Sequence, residues 1–253
     1  MTLTGSSAAG RKVAALAGQH LKKCVLELGG SDPFIVLDDA DIEWTAQQAL
    51  IARLQNMGQS CVAAKRFILQ DTIADAFVER LRTLINQLQS GDPKNAETTI
   101  APMARMDLRS DLHAQVERSQ ALGAQLVTGG FPIGTQGAYY APAILDHVKP
   151  GMPAFDEELF GPVAAIVRVK NAKEAIQFAN RSHFGLGGSV WTRDPSHGEA
   201  LARQIHAGCT FVNGIVKSDP RLPFGGVKDS GFGRELGYHG IREFVNIKTV
   251  WVR

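Results

Sequence analysis

The chain has 253 residues, 44% of them hydrophobic and 21% charged, which suffices for one large domain or one and a fraction and excludes a disordered or fibrous protein. Its 27 basic and 25 acidic residues are spread along the chain and leave a net charge of +2, so there is no electrostatic footprint for nucleic acid or for an anionic membrane surface. No apolar run approaches the ~20 residues that span a bilayer. Three cysteines, with no C-x-x-C pair and no charged-then-apolar leader, are read as those of a soluble protein of a reducing cytoplasm.

In chain order, residues 5–20 read as a helix opened by Gly5-Ser6-Ser7, with Val13, Leu16 and Ala17 giving an i, i+3, i+4 apolar stripe. Residues 25–28 and 34–37 read as short buried strands on either side of a Gly-Gly-Ser-Asp-Pro turn. Residues 39–54 read as a helix with an acidic start that suits its positive end, and Cys61 follows it after a polar turn. Then come a strand at 66–70, an amphipathic helix at 72–88, a Gly-Asp-Pro break, a helix at 107–122 and a strand at 124–128. After a Gly/Pro-rich loop to Gly137, the pattern gives strands at 163–169, 188–192 and 210–213, with helices at 172–180 and 196–206 between them. A short helix at 240–244 precedes residues 245–252, which alternate at strand period and read as an edge strand open to another chain. This alternation predicts an α/β fold with a mostly parallel sheet and flanking helices.

Two sites carry chemistry. Cys61 ends the run Asn56-Met57-Gly58-Gln59-Ser60-Cys61, and Glu27 lies in Leu26-Glu27-Leu28-Gly29-Gly30. A cysteine nucleophile, once acylated, needs a second group to activate water, and a carboxylate raised in pKa by burial is such a group. Cys24 and Cys209 sit in strand-like apolar runs and read as small buried hydrophobes. Gly5 to Gly10 has the outline of G-x-x-x-x-G, but Arg11-Lys12 follows where a nucleoside-triphosphate loop needs Lys-Ser or Lys-Thr. The seven histidines are scattered without an i, i+4 pair, and no metal site is expected.

Two further blocks, Glu158-Leu159-Phe160-Gly161-Pro162 and Pro223-Phe224-Gly225-Gly226-Val227-Lys228-Asp229-Ser230-Gly231, stand downstream. With the two above, in this order, they resemble the aldehyde dehydrogenase superfamily, and most closely its succinate-semialdehyde branch. Ser31 stands where the family usually has lysine, and Gln55 where some members for carboxylate-tailed aldehydes have arginine. The resemblance implies a catalytic domain at residues 30–236, a remnant of the NAD(P)-binding domain at 1–29 and an oligomerisation tail at 237–253. It further implies a chain lacking most of the cofactor domain, because members of the family are nearly twice as long. It assigns Cys61 as nucleophile and Glu27 as base. It places Gly5, Ser6, Leu28, Glu158 and Phe160 against NAD or NADP, and Ser218, Arg221 and Phe224 at the aldehyde entrance. A small aldehyde is the expected partner, in a homo-oligomer (dimer or tetramer). Weak cofactor binding and impaired turnover are expected of this chain alone. The alternative is a thiol-dependent ester hydrolase or a non-catalytic oligomerising module.

Overall fold

The computed structural model describes residues 1–253. Strand β1 (Thr2–Thr4) leads into α1 (Ser7–Gln19), whose first turn is capped by Ser6 Oγ accepting from Ala9 N. Then follow β2 (Val25–Glu27), β3 (Asp32–Val36), α2 (Ile42–Leu54), β4 (Ala64–Gln70), α3 (Asp71–Asn86) and α4 (Met106–Ala121). The chain continues through β5 (Gln125–Thr128), β6 (Ala143–Asp146), α5 (Pro153–Asp156), β7 (Val163–Val169), α6 (Ala172–Asn180), β8 (Phe184–Gly185) and β9 (Gly187–Trp191). It closes with α7 (Pro195–Ala202), β10 (Cys209–Val212), β11 (Val227–Lys228), β12 (Gly231–Phe232) and α8 (Gly237–Glu243).

The principal sheet has seven strands in the order β10-β9-β3-β4-β7-β6-β5, parallel except for the antiparallel edge strand β5. Its central strands are apolar on both faces, as a helix-covered parallel sheet requires. On β3 and β4, Phe34, Val36, Phe67 and Leu69 pack beneath α2 and α3, while Ile35 and Ile68 face α4, α6 and α7. The alternation that splits one run of side chains into two cores follows from the period of 2 along a strand.

A second sheet, β1-β2-β12, is built from the start of the chain and from the Ser230-Gly231 segment, with β1 parallel and β12 antiparallel to β2. Gly231 has φ +111°, and a Cβ there would meet Leu26 O at 1.9 Å, so only glycine lets β12 approach β2.

Several boundaries differ from the sequence reading. Helix α2 starts at Ile42 because Asp41 is its cap, its carboxylate accepting from Trp44 N, while residues 38–40 form a turn. Strand β6 has no counterpart in the sequence reading: it is four residues long, led by alanine and preceded by Pro142, yet it lies inside the sheet. Residues 245–252 form no strand here, and Trp251 is 82% exposed. Strand period alone does not make a strand, which requires another backbone to complete its ladder. Cys24 lies just outside β2, and Cys24 and Cys209 are half-buried, where full burial was expected.

Phe67 is fully buried on a central strand, its ring tilted and 5.0 Å from that of Phe34. Phe67→Ala is expected to lower the unfolding free energy by about 3–5 kcal/mol, read as a fall in the urea midpoint with an unchanged slope.

Candidate active site

The four sequence blocks converge at the carboxyl end of β2, the amino end of β3 and the loop before β4. After α2 the chain takes a tight turn in which Asn56 (φ 49°), Met57 (φ 58°) and Gly58 (φ 71°) are all left-handed. A Cβ on Gly58 would meet Gly161 O at 2.3 Å, so the loop can pack on the Gly161-Pro162 segment only through glycine. Arg53, fully buried at the end of α2, donates from Nη2 to Gly58 O at 2.7 Å, and its Nε and Nη1 have no partner. Burial brings this guanidinium down to about 9, with Glu158 and Asp32 opposing the fall. Two non-glycine residues held left-handed mark a loop whose shape is imposed by its surroundings.

Cys61 sits half-buried at the end of this loop. Its carbonyl is packed against Gly30, where a Cβ would approach Cys61 O to 2.7 Å. The thiol is pushed above its ordinary value, chiefly by burial. Lys65 and the Val62 N–H oppose that rise, whereas Asp32 and Glu27 add to it.

Glu27 ends β2, between Thr4 and Gly231, and its main-chain oxygen accepts from Gly5 N at 3.0 Å. The side chain is 4% exposed, Oε1 has no partner, and Gly225 lies over it so closely that a Cβ would reach Oε1 at 3.0 Å. Burial, then Glu235, push this carboxyl up to about 7 against Arg234 and a Gly226 N–H. Its charge acts on Cys61 and also on Cys209, so the three side chains share one neighbourhood.

The other expected residues divide into two groups. Glu158 joins the centre: Oε1 accepts from Gly30 N at 2.9 Å and lies 3.4 Å from Lys65 Nζ, and its side chain remains partly exposed. Phe160 follows it, over a third exposed, and Leu28 packs under Gly10 of α1. A cavity of about 280 Å³ opens between the first turn of α1 (Ser7, Arg11) and Leu26, Leu28, Asp229 and Phe232. Gly5 and Ser6 lead into that turn. At the expected entrance, Phe224 is buried and lines a cavity of about 290 Å³ together with Cys209, Lys217 and Asp219. Arg221 instead forms a bidentate pair with Asp219 at the surface, with its side chain 85% exposed, and neither it nor the exposed Ser218 lines that cavity.

The polar residues of the last block hold backbone together. Ser230 Oγ donates to Gly29 O at 2.6 Å and accepts from Gly185 N at 3.0 Å, and Lys228 Nζ donates to Asn180 O and Ser182 O. Ser31 accepts the buried Arg66 guanidinium through both its carbonyl and its hydroxyl. Sequence reasoning did not single out Asp32, Lys65 or Arg53. The one signal available was a charge inside an apolar run, as in Ala63-Ala64-Lys65-Arg66-Phe67-Ile68. Asp32 is buried and pushed up to about 6, with Oδ1 accepting from Gly187 N.

The aldehyde dehydrogenase family pattern matches residues 1–250, and the chain belongs to that family. It is 52% identical over 251 residues to the succinate semialdehyde dehydrogenase (NAD(P)+) Sad of Escherichia coli K12, covering 99% of this chain and 54% of that protein. It is also 52% identical to a probable succinate-semialdehyde dehydrogenase (NADP+) of Synechocystis sp., with coverage of 99% and 55%. Among solved structures it is similar to the succinic semialdehyde dehydrogenase of Streptococcus pyogenes in complex with NADP+, with a TM-score of 0.96, 41% identity and coverage of 99% and 55%. The chain thus spans about half the length of the relatives it matches. No three His, Cys, Asp or Glu side chains gather as a metal cage, and no helix is long and apolar enough to cross a membrane.

Folding raises the Glu27 pKa from the ordinary 4.5 to about 7, so the folded state binds this proton more tightly than the unfolded chain. The stability it contributes is complete below the unfolded value and is lost as pH rises through about 7. Glu27→Gln is therefore expected to stabilise the chain by roughly 1–3 kcal/mol at about pH 8 and to be near neutral at about pH 5. Thermal melts of both proteins at the two pH values check the sign.

Proposed function

We propose that this chain carries the chemical centre of an NAD(P)-dependent aldehyde dehydrogenase acting on a semialdehyde, with Cys61 as nucleophile and Glu27 as base. One observation carries the reading: a half-buried thiol feels the charge of a buried carboxyl that has a partnerless oxygen and a pKa near neutrality. The relatives' names supply the substrate class, a four-carbon acid aldehyde.

In this mechanism the Cys61 sulfur forms a bond to the aldehyde carbon, and the carbonyl oxygen takes up negative charge against the Cys61 N–H. A nicotinamide dinucleotide, when bound, supplies the acceptor for the hydride. Glu27 then takes a proton from the water that attacks the acyl carbon, and the sulfur departs. A pKa near 7 suits a group that must lose and regain a proton at neutral pH. The residues on this side of the fold suit the dinucleotide: the partly exposed Glu158 carboxylate and Phe160 would hold its nicotinamide end. The first turn of α1, after Gly5 and Ser6 and beside the Leu28 cavity, offers N–H groups to phosphate. For the substrate's far carboxylate, Lys217 in the Phe224 cavity is the better placed cation, since Arg221 is committed to Asp219. In the same reading residues 1–29, 30–236 and 237–253 serve cofactor, chemistry and self-association, and the exposed apolar side chains Ile247, Trp251 and Val252 are the surface for a second copy.

An activated ester tests the centre without a dinucleotide. The chain is expected to release one equivalent of alcohol in a burst, with the acyl group on the Cys61 peptide by mass spectrometry. Cys61→Ser should abolish the burst, and Glu27→Gln should keep it while slowing deacylation by about 10²–10⁴. Acylation at Cys24 or Cys209 instead would sink the assignment.

Because the chain spans about half of its relatives, only part of the dinucleotide's contacts can come from the residues named. With succinate semialdehyde and saturating NAD or NADP, NAD(P)H is expected to form far below the ordinary enzyme scale of ~10 s⁻¹. Turnover at that scale would overturn this expectation, and steady ester hydrolysis with no cofactor dependence would favour the hydrolase alternative.

A further inference from the structure

Lys65 is wholly buried one residue into β4, in a run of apolar neighbours, and nothing in the mechanism above uses it. An ammonium has three donors. Two go to the main-chain oxygens of Ser60 and Cys61, each at 2.8 Å, and the third faces Glu158 Oε1 at 3.4 Å. The carbonyl it grips at Cys61 is the same one that presses on Gly30, so the loop is held between a cation on one side and a Cβ-free residue on the other.

The groups around the sulfur give that placement a chemical consequence. Burial and the carboxylates of Asp32 on β3 and Glu27 on β2 all work against a thiolate at Cys61, and Lys65 is the cation that opposes them. Burial, followed by the Arg53 guanidinium on α2, holds Lys65 below the ordinary lysine value, while Glu158, Asp32 and the Cys61 thiolate favour the ammonium and oppose that fall. Cys209 on β10 is pushed up to about 12 by burial and by the same two carboxylates, with Arg234 and no lysine opposing the rise. Burial is the largest influence on both cysteines, and among the charges around them Lys65 acts on Cys61 alone.

We propose that Lys65 is the positioning residue for Cys61: its buried ammonium fixes the Ser60 and Cys61 carbonyls and sets a full positive charge behind the sulfur, selecting this thiol over Cys209 as the nucleophile. The proposal rests on Cys61 being the nucleophile. Glu158 gains a second role from it, because the carboxylate that would contact a bound ribose also offsets part of the charge that activates the thiol.

The experiment is the pH dependence of iodoacetamide alkylation, followed peptide by peptide by mass spectrometry on the whole 253-residue chain. In this reaction the thiolate forms the carbon–sulfur bond as iodide leaves, so the rate tracks the thiolate. Lys65→Met and Lys65→Gln are expected to move the Cys61 midpoint up by about one pH unit and to slow alkylation at about pH 7 roughly tenfold. Lys65→Arg, which keeps the charge, should restore most of the rate, and the rates at Cys24 and Cys209 should stay where they are. Lys65→Gln can still donate to one of the two carbonyls, so it remains informative if Lys65→Met does not fold. An unchanged Cys61 midpoint in the neutral variants, with Cys61 still the labelled thiol, would overturn the role of Lys65 and leave the nucleophile standing. A parallel rise at Cys209 would mean general loosening and would overturn it too. If Cys61 is not the preferred thiol in the unmodified chain, the nucleophile assignment and the proposal fall together.

Discussion

A single buried ammonium ties the centre of this molecule together. Lys65 Nζ reaches the carbonyls of Ser60 and Cys61 and the carboxylate of Glu158, and Glu158 in turn receives the N–H of Gly30. Three segments far apart in the chain are joined through that one group. Taking a charge out of water costs several kcal/mol before pairing is counted, and a buried ion pair is often no more stabilising than an apolar replacement. The presence of Lys65, Arg53, Arg66, Asp32 and Glu27 in the interior therefore points to placement and reactivity, where perturbed ionisation is useful, more than to stability.

The rest of the scaffold serves that cluster by close approach of backbone. Glycines at 30, 58, 225 and 231 stand where a Cβ would collide with Cys61 O, Gly161 O, Glu27 Oε1 or Leu26 O. Ser230 and Arg66 act in the same sense from the polar side. The first joins the Gly29 turn to β8, and the second clamps the Ser31 turn to the end of α6. Beneath them lies a parallel sheet packed on both faces, rigid enough to hold left-handed residues in the loop before Cys61.

Burial raises both proposed chemical groups, and they differ in the charges that stand beside them. Glu27 lies in a small sheet that brings the chain's start together with its last motif, under Gly225, with Glu235 as a like-charged neighbour. Its environment works to keep the proton on. Cys61 is buried and faces two carboxylates, yet has a cation at its back. A base near neutrality and a thiol with one selective activating charge are the combination that acylation followed by hydrolysis demands.

Much of the fold was legible in the chain. The strand at Val163–Val169 and the helix at Ala172–Asn180 appear in the structure with the boundaries their patterns predict, because a strand buried on both faces is a continuous apolar run and a helix on a core shows its stripe. The blocks that hold Cys61, Glu27, Glu158 and Phe224 stood out by the family they resemble, and folding brings Cys61, Glu27 and Glu158 into one neighbourhood. Strands β1, β6, β11 and β12 were not, being two to four residues long and made by pairing with segments elsewhere. The C-terminal stretch alternates at strand period but forms no strand here, because no backbone in this chain completes its ladder. Arg221 read as a free cation and proved to be paired with its neighbour Asp219, while Lys65 read as one basic residue among many and proved to be buried beside the thiol. Local pattern determines which residues turn, cap and alternate, since those preferences belong to the backbone and its nearest neighbours. Whether a charge is solvated, paired or enclosed depends on groups brought in from the other end of the chain, and only the tertiary structure decides that.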